Sequence, residues 1–354
     1  MTLKVKNIFN KLLGKFSKDL GIDLGTKNTL IYTPEKGIII NEPSVVAVNT
    51  RTDEILAVGE DARRMVGKTP GYIQAIRPLV DGVISDFEVT EKMLKYFIDK
   101  AHSESFTLVP RPIVVIGIPL DVTEVEKKAV EDAARSAGAR QVYLIEESMA
   151  AAIGARLPVA EAVASMIVDI GGGTTEISVI SLGGVVTSKT LRIAGNELDN
   201  NIIQYIREEF NTLIGEQVAE NVKIKIGSAT FLKEPLDMEI RGRDLINGLP
   251  KAIRINDSQI REAISRTVGQ IIENIKITLE ITPPELVSDI YEHGIVLAGG
   301  GALLRGLDKE IAQATKIPVR VADDPLTCVV RGTGVLLGDK ELLEKVLTPS
   351  SKEF

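Results

Sequence analysis

The sequence is poor in the residue types that form disulfides and transition-metal sites. Its 354 residues include one cysteine, Cys328, and two histidines, His102 and His293. A single cysteine cannot form an intrachain disulfide, so a reducing cytoplasm fits, and two imidazoles cannot build a multi-histidine zinc site. Tryptophan is also absent, which excludes nothing.

Long apolar runs and excess positive charge are missing as well. No run of about eighteen or more apolar residues occurs, so no transmembrane helix is expected, and the N-terminus lacks the features of a signal peptide. The net charge of −7 argues against nucleic-acid binding, which needs a basic surface. The length and a hydrophobic content of 44% suit a cytoplasmic protein of two lobes.

A basic amphipathic pattern is present at the N-terminus. Lysines lie off an apolar stripe at helical spacing, which predicts a helix over residues 1–18 at an anionic membrane surface. The stripe consists of Val5, Ile8, Phe9, Leu12, Leu13 and Phe16. A terminal helix packed on its own domain is the alternative, but such helices seldom carry charge of one sign.

Two distant segments share one pattern. "IDLGTKNTLI" (22–31) and "VDIGGGTTEI" (168–177) align so that Asp23 matches Asp169 and Gly25 matches Gly171. In both, an apolar strand leads through an acid into a polar turn, and a second apolar strand follows. Alternating strand and helix patterns continue after each segment, so we predict an α/β fold with two duplicated, mostly parallel sheets covered by helices.

The glycine turns predict phosphate binding. Glycine-rich turns offer backbone N–H groups without shielding side chains. Two carboxylates that face a triphosphate repel it unless a cation such as Mg²⁺ lies between them. A tight hairpin without a ligand is the alternative. Hydroxyl and amide donors are supplied by Thr26, Asn28, Thr174 and Thr175.

A third glycine turn, Gly299 to Gly301, has no acid beside it in the sequence. It suits the close approach of a base or sugar-phosphate, or else a tight strand-to-helix connection. We expect one helix over 301–315 after it, and a last helix over 324–339 interrupted by glycines.

These motifs and their order resemble the superfamily of actin, sugar kinases and heat-shock chaperones, and within it the MreB family of bacterial actin homologues. The resemblance runs over nearly the whole chain and includes "RPLVDGVISDFEVTEKML", "YLIEESMAAAIGARLPV", "EIRGRDLINGLPK" and "GIVLAGGGALLRGLD". It implies an actin-like ATPase fold, with two duplicated lobes that each have a large and a small subdomain around a nucleotide cleft. It also implies ATP-dependent filaments that organise peptidoglycan synthesis.

The resemblance implies domain boundaries and partners too. Lobe I would comprise 19–157 and 325–345, with a small subdomain over about 34–76. Lobe II would comprise 158–324, with a small subdomain over about 195–253, and 346–354 would be a flexible tail. The partners would be further copies of the chain in double protofilaments, the inner face of the cell membrane, RodZ, MreC and cell-wall synthesis proteins.

Residue roles follow from the matched motifs. Asp23 and Asp169 would hold Mg²⁺ largely through water. Glu147 would orient or deprotonate the attacking water, with Thr174 assisting, although both Glu146 and Glu147 could instead cap the helix that follows them. The expected phosphate contacts are Gly25, Thr26, Asn28, Gly171, Gly172, Gly173 and Thr174. The expected contacts with ribose, adenine or the rest of the nucleotide are Glu220, Lys223, Gly299, Gly300 and Gly301.

Three further positions bear on the resemblance. Ser148 stands where the family usually has a proline after the glutamate, so Glu147 could be less rigidly held. Lys27 stands where a small residue is common, and its role is open. Phe106 and Leu108 belong to a loop that in this family dips into the membrane, or that packs on its own domain.

Three rival functions remain at the level of sequence. A sugar or acetate kinase of the same fold would need a substrate base in the cleft and no membrane helix. A chaperone-type ATPase would need a substrate-binding domain after the last helix. A plasmid- or organelle-positioning actin would lack the membrane helix.

Overall fold

The computed structural model describes residues 17–103 and 111–347. Within these ranges no helix is both long and apolar enough to cross a membrane. The predicted membrane helix up to Phe16, the loop with Phe106 and Leu108, and the tail from residue 348 lie outside the described residues. Those three assignments therefore stay predictions.

The chain divides into two compact units. The first comprises the described residues within Met1–Glu161, Leu182–Gly184 and Thr327–Phe354, and the second comprises Ala162–Ser181 and Val185–Leu326. The chain thus leaves the first unit, builds the second, and returns to the first for its last helices.

The first unit is built on a five-stranded sheet in the order β10-β9-β1-β2-β3. Its strands are β1 (Leu20–Leu24), β2 (Asn28–Thr33), β3 (Gly37–Pro43), β4 (Val46–Asn49), β5 (Glu54–Val58), β6 (Ile73–Ile76), β7 (Leu79–Val80), β8 (Val83–Ile84), β9 (Ile113–Ile118) and β10 (Gln141–Glu146). Its helices are α1 (Glu60–Met65), α2 (Phe87–Ala101), α3 (Glu124–Ser136) and α4 (Glu147–Gly154). Strands β5, β4 and β6 form a small separate sheet.

The second unit is built on a five-stranded sheet in the order β13-β12-β11-β17-β18. Its strands are β11 (Ser165–Ile170), β12 (Thr175–Ser181), β13 (Gly184–Leu191), β14 (Thr212–Leu213), β15 (Asp237–Asp244), β16 (Pro250–Asn256), β17 (Ile295–Ala298) and β18 (Val319–Val321). Its helices are α5 (Gly195–Phe210), α6 (Glu216–Ile226), α7 (Asp257–Glu280), α8 (Pro284–His293) and α9 (Leu307–Thr315). The chain then returns to the first unit with α10 (Cys328–Gly338) and α11 (Lys340–Val346).

The two five-stranded sheets are copies of one topology. In the first, β1 pairs antiparallel with β2 and parallel with β9. In the second, β11 pairs antiparallel with β12 and parallel with β17. The predicted α/β class and the duplication are therefore confirmed. The prediction of mostly parallel sheets was wrong for the first sheet, because short turns join β1 to β2 and β2 to β3 and make both pairs antiparallel, while β1–β9 and β9–β10 are parallel. Asp23 and Asp169 are each the penultimate residue of the central strand, as the alignment of the two segments requires.

Apolar residues of the central strands and the covering helices form the core of each unit. In the first unit Ile22 and Ile116 from the sheet and Phe97 from α2 are fully buried. In the second, Val168 from the sheet and Ile264 from α7 are fully buried. Four helices, α2, α3, α7 and α11, begin at a capping side chain, which is Asp86, Thr123, Asn256 and Asp339 respectively. In α3, for example, the Thr123 hydroxyl accepts from the Glu126 N–H and the Glu126 carboxylate accepts from the Thr123 N–H.

The last long helix packs closely on α4 through glycines. A Cβ atom at Gly332 of α10 would overlap the Ala150 carbonyl of α4, and one at Gly154 of α4 would overlap the Cys328 carbonyl of α10. The glycines expected to interrupt this helix are instead the positions at which it touches its neighbour. The prediction of an interrupted helix was wrong, because tertiary packing outweighs the low helix propensity of glycine.

The single helix predicted over 301–315 was also wrong. A short 3₁₀ helix covers Gly300–Leu303, and α9 begins only at Leu307. Gly306 separates them with a φ of 75°, a left-handed conformation that ends any right-handed helix. At the other end of the chain, α11 extends to the buried Val346, one residue into the predicted tail.

Candidate functional site

The first half-site lies where three neighbouring strands of the first unit end. Asp23 of β1 pairs in register with Gly117 of β9, and Gly117 pairs with Ile145 of β10. Strand β10 then leads at Glu146 into Glu147, the first residue of α4. Parallel strands place their carboxyl ends at one edge of a sheet, where ligands bind in α/β folds.

Glu147 lies beside strand β9. This strand is between β1, which carries Asp23, and β10, which leads into Glu147. A Cβ atom at Gly117 would be 3.3 Å from the Glu147 Cγ atom. The absence of a side chain at Gly117 therefore leaves room for the Glu147 side chain beside the strand that pairs with Asp23. The structure brings together two acids that are more than a hundred residues apart in the sequence.

The neighbouring Glu146 is in a different situation. It is the N-cap residue of α4, but its side chain makes no capping hydrogen bond. Burial raises the pKa of its carboxyl, and the nearby Lys127 opposes that shift. The Glu146 side chain therefore does not cap the helix, so the alternative in which both acids are caps fails at Glu146. Helix α4 starts at Glu147 without the family's proline, and Ser148 is fully buried.

The turn after Asp23 is held by side chains from another strand connection. The Ser44 hydroxyl donates to the Gly25 carbonyl at 2.6 Å and lies 2.9 Å from the Thr29 hydroxyl. The Ser44 N–H also donates to the Lys27 carbonyl at 2.9 Å. Ser44 and Thr29 are fully buried. Sequence reasoning missed both residues, because only folding brings the segment "EPSVV" to this turn.

Thr26 is buried, and its hydroxyl oxygen accepts from the Gly82 N–H at 2.9 Å. Gly82 belongs to the turn between β7 and β8, where Asp81 and Gly82 have φ of 49° and 78°. Thr26 thus anchors the first glycine turn to a second turn. Asn28, also predicted as a phosphate contact, is the first residue of β2 and is partly exposed.

Gly25 has a steric reason to be glycine. A Cβ atom there would be 2.8 Å from the Asn28 carbonyl oxygen and 3.5 Å from the Asp23 carboxylate. The turn is so tight that a methyl group would push against backbone that two strands fix.

The second half-site surrounds Asp169, whose exposed fraction is only 7%. Burial raises the pKa of this carboxyl from 3.8 to about 7. A desolvated carboxylate gains most from a cation, and carboxylate oxygens are ligands that Mg²⁺ prefers. The donor type and its desolvation therefore fit a magnesium ion.

The third glycine turn lies directly beside this acid. Gly299 has a φ of 77°, and a Cβ atom there would overlap the Asp169 carboxylate and the Ile170 carbonyl. A Cβ atom at Gly301 would overlap the Ile170 side chain, and one at Gly300 would be 3.1 Å from Leu326. Although no acid is adjacent in the sequence, pairing of β11 with β17 places one there.

The turn from Gly171 to Thr174 is closed by its own backbone and by a helix. The Gly171 N–H donates to the Thr174 carbonyl at 2.8 Å. At the start of α5, the Gly195 N–H donates to the Gly171 carbonyl at 3.1 Å, and the Asn196 N–H donates to the Gly172 carbonyl at 2.7 Å. Gly173 and Thr174 are buried. The start of α5 was not recognised as part of the site from sequence.

Helix α6 carries the two residues predicted to contact ribose and adenine. Glu220 is partly exposed on this helix. The Lys223 ammonium donates to the Gly195 carbonyl at 2.8 Å and forms an ion pair with Asp199 at 2.8 Å. Lys223 therefore contacts the same helix start that holds the glycine turn.

The described residues contain no dense cluster of acids or histidines that could hold a metal ion. Over residues 17–103 and 111–347 no group of three or more His, Cys, Asp or Glu side chains is arranged to hold a metal ion. Mg²⁺ needs no such group, because it keeps several waters and takes one or two carboxylates together with substrate phosphates. Asp23 is a carboxylate of this kind in the first unit, and Asp169 is one in the second.

The chain is similar to known proteins of one family over nearly its whole length. Residues 17–345 match the model of the MreB/Mbl protein family. The chain is 53% identical over 334 residues to the cell shape-determining protein MreB of Escherichia coli strain K12. The matched region covers 93% of this chain and 96% of that protein.

Solved structures agree. The crystal structure of MreB5 of Spiroplasma citri bound to ADP is 38% identical to the chain, with a TM-score of 0.87, and covers 93% of this chain and 98% of that one. The structure of a MamK double helical filament is 25% identical to the chain, with a TM-score of 0.75. The match covers 90% of this chain and 98% of the MamK chain. The predicted actin-like fold is thereby confirmed.

Proposed function

Because the chain belongs to the MreB/Mbl protein family, we propose that it is an ATP-hydrolysing, filament-forming bacterial actin that determines cell shape at the inner membrane face by organising peptidoglycan synthesis. The observation that carries the proposal is the repeated end of the central strand, an acid followed by a glycine turn, at Asp23 to Gly25 and at Asp169 to Gly171. The names of the relatives support cell-shape determination, nucleotide binding and filament formation separately. One determines cell shape, one binds ADP, and one forms a double helical filament.

The acids and glycine turns described above would take part in binding Mg²⁺–ATP. The N–H groups of the two glycine turns, with Thr26, Asn28 and Thr174, would donate to phosphate oxygens. Asp23 and Asp169 would hold Mg²⁺ largely through its waters, and the ion would neutralise charge on the phosphates. Glu220 and Lys223 would flank the ribose and adenine, and Gly299 to Gly301 would pass beside the nucleotide.

Hydrolysis would depend on Glu147. Its carboxylate would orient or deprotonate the attacking water, and the Thr174 hydroxyl would assist. The glycine contacts with α10, at Ala150 and Gly154, hold the helix that carries Glu147 at its first residue. That packing offers a structural substitute for the proline that the family usually has at the position of Ser148.

The membrane part of the proposal rests on the sequence. The basic amphipathic pattern of residues 1–18 suits anionic lipid, and the loop with Phe106 and Leu108 would add apolar contact. One copy would bind weakly, whereas a filament presents many copies and gains avidity. RodZ, MreC and cell-wall synthesis proteins are partners proposed from the family alone.

One sedimentation assay tests the assembly and membrane parts together. With ATP and Mg²⁺ the protein should pellet as filaments, visible as double protofilaments by electron microscopy. It should also pellet with anionic liposomes. Deletion of residues 2–16 should abolish liposome binding by filaments while ATP hydrolysis stays nearly intact.

Two results would contradict this. A protein that stays monomeric with every nucleotide, salt and lipid tried would favour the kinase alternative. A truncated protein that decorates anionic liposomes as well as the full chain does would exclude residues 2–16 as the anchor. The double substitution Phe9→Glu with Leu12→Glu provides a control that keeps the chain length.

A further inference from the structure

The Lys223 side chain contacts two protein groups. Its ammonium donates to the Gly195 carbonyl and pairs with the Asp199 carboxylate, each at 2.8 Å. The Asp199 side chain is 3% exposed and the Lys223 side chain 16%. A buried carboxylate of this kind needs a partner, since an unpaired buried charge is strongly destabilising.

The groups that Lys223 contacts belong to the helix start that orients the second glycine turn. Gly195 and Asn196 donate their N–H groups to the Gly171 and Gly172 carbonyls. The space is tight as well, because a Cβ atom at Gly195 would be 3.1 Å from the Gly171 oxygen and 3.5 Å from the Lys223 ammonium. A continuous chain of contacts therefore runs from α6 through α5 to the turn.

The direction of these two carbonyls sets the direction of the next two N–H groups. In a planar trans peptide the C=O and the following N–H point to opposite sides. Holding the Gly171 and Gly172 carbonyls toward α5 therefore turns the Gly172 and Gly173 N–H groups away from α5, where an anion can meet them. Glycine offers little resistance to a peptide flip by itself, so the orientation must come from the contacts that α5 makes.

We propose that Lys223 is a positioning residue for phosphate binding. By fixing the start of α5 through Gly195 and Asp199, it keeps the N–H groups of the Gly171–Thr174 turn in the orientation that binds phosphate. The inference rests on the proposed ATP binding, and it differs from the role that the resemblance implies, a direct contact with ribose or adenine.

The two roles predict different losses for different ligands. A direct contact with the nucleoside contributes to adenosine and to ATP alike, so its removal weakens both by the same factor. A positioning role acts only on the phosphate-binding turn, so its removal weakens ATP and leaves adenosine nearly unchanged.

The experiment measures dissociation constants for Mg²⁺–ATP and for adenosine with full-length variants. Lys223→Met should weaken Mg²⁺–ATP by about 10-fold or more, the usual scale for loss of a supporting contact, while adenosine changes by less than about threefold. Asp199→Asn should give a smaller loss with the same ligand pattern. Lys225→Met, an exposed lysine of the same helix, is the matched control and should change neither constant.

A double variant guards against misfolding. Lys223→Met alone leaves the buried Asp199 carboxylate without this partner, whereas Lys223→Met with Asp199→Asn removes both charges. If the positioning role holds, the double variant shows the same ATP-selective loss as Lys223→Met. Equal losses for ATP and adenosine in the double variant would overturn the proposal in favour of a direct nucleoside contact. Unchanged ATP affinity would overturn it outright.

Amide hydrogen exchange of the nucleotide-free protein separates this inference from the proposed function. The Gly195 and Asn196 amides should exchange faster in the double variant than in the wild type and in Lys225→Met. Unchanged exchange would contradict the contact chain even if ATP binds normally. Conversely, a wild type that binds no nucleotide would contradict the proposed function, whatever the exchange result.

Discussion

The two glycine turns follow the same strand in two copies of one sheet, yet different parts of the chain hold them. Side chains hold the first, through Ser44 on the Gly25 carbonyl and through the hydroxyl of Thr26. Backbone N–H groups at the start of α5 hold the second, on the carbonyls of Gly171 and Gly172. Duplication thus preserved strand pairing, whereas the supports diverged with the elements inserted around each sheet.

The acids differ in the same way. Asp23 is partly exposed, while Asp169 is buried, with a pKa raised to about 7. Gly299 covers Asp169 so closely that a side chain would overlap it. The strand partner of Asp169 is Ala298, whereas that of Asp23 is Gly117, which leaves room for the Glu147 stem. One half-site offers a desolvated carboxylate, and the other offers a second acid at the helix start.

The largest effect is expected from neutralising the buried acid in the nucleotide-free protein. Folding raises the pKa of Asp169 from 3.8 to about 7, so the unfolded chain releases this proton more easily than the folded one. The protonated group is fully compatible with folding below pH 4, and stability falls as pH rises toward 7. Asp169→Asn should remove this loss and so raise the free energy of unfolding above pH 7 by at most about 4 kcal/mol. Urea unfolding in the presence of EDTA measures it.

The matched control is Asp23→Asn, in which a partly exposed carboxylate is neutralised in the other half-site. Both variants are compared with the wild type between pH 5 and pH 8, and Asp23→Asn removes one negative charge while the buried Asp169 carboxylate stays. If Asp169→Asn did not become more stable relative to wild type over that range, burial would not be raising the pKa of Asp169 as described. Mg²⁺–ATP affinity of Asp169→Ala should nevertheless fall, because the metal ligand is lost.

Glu147 should have the next largest effect. Glu147→Ala should slow ATP hydrolysis by about 100-fold or more, the scale for loss of a general base, while ATP still binds. Glu146→Ala changes the adjacent, half-buried acid and should leave turnover within a few-fold. Steady-state phosphate release measures both, and a Glu147→Ala rate within twofold of wild type would disprove the assigned role.

The two turn glycines should differ in their tolerance of a methyl group. A Cβ atom at Gly25 would be 2.8 Å from a backbone oxygen, against 3.2 Å at Gly171. Gly25→Ala should therefore cost about 1–3 kcal/mol of unfolding free energy, the range for overpacking, and Gly171→Ala clearly less. Denaturant melts of both variants would test this order, and the reverse order would show that the first turn is the more adaptable one.

The smallest effect concerns the side chain that supports the first turn. Ser44→Ala removes the donor to the Gly25 carbonyl and should cost about 1 kcal/mol of stability, with a few-fold loss of Mg²⁺–ATP affinity. Ser103→Ala removes an exposed hydroxyl that donates to the Lys100 carbonyl in the last turn of α2 and should change neither quantity. Equal behaviour of the two variants would mean that Ser44 does not support the turn.

Much of the fold was predictable from local pattern. The alignment of residues 22–31 with 168–177 predicted the duplication, and both acids lie at the same strand position. Strands β1 and β2 in the first unit and β11 and β12 in the second flank the two glycine turns, as that alignment predicted. Such signals are local, so they can be read along the chain without knowing what packs against it.

The sequence by itself determined the family, the duplicated strands, and the identity of the acids and glycines at the ends of those strands. The tertiary structure alone decided what surrounds each of them. It buried Asp169 against Gly299, brought Ser44 to Gly25, and turned the Lys223 ammonium toward Asp199 and Gly195. These contacts join residues that are 19 to 130 positions apart, and no local pattern encodes them, because only the packing of whole elements sets which groups lose water and which find a partner.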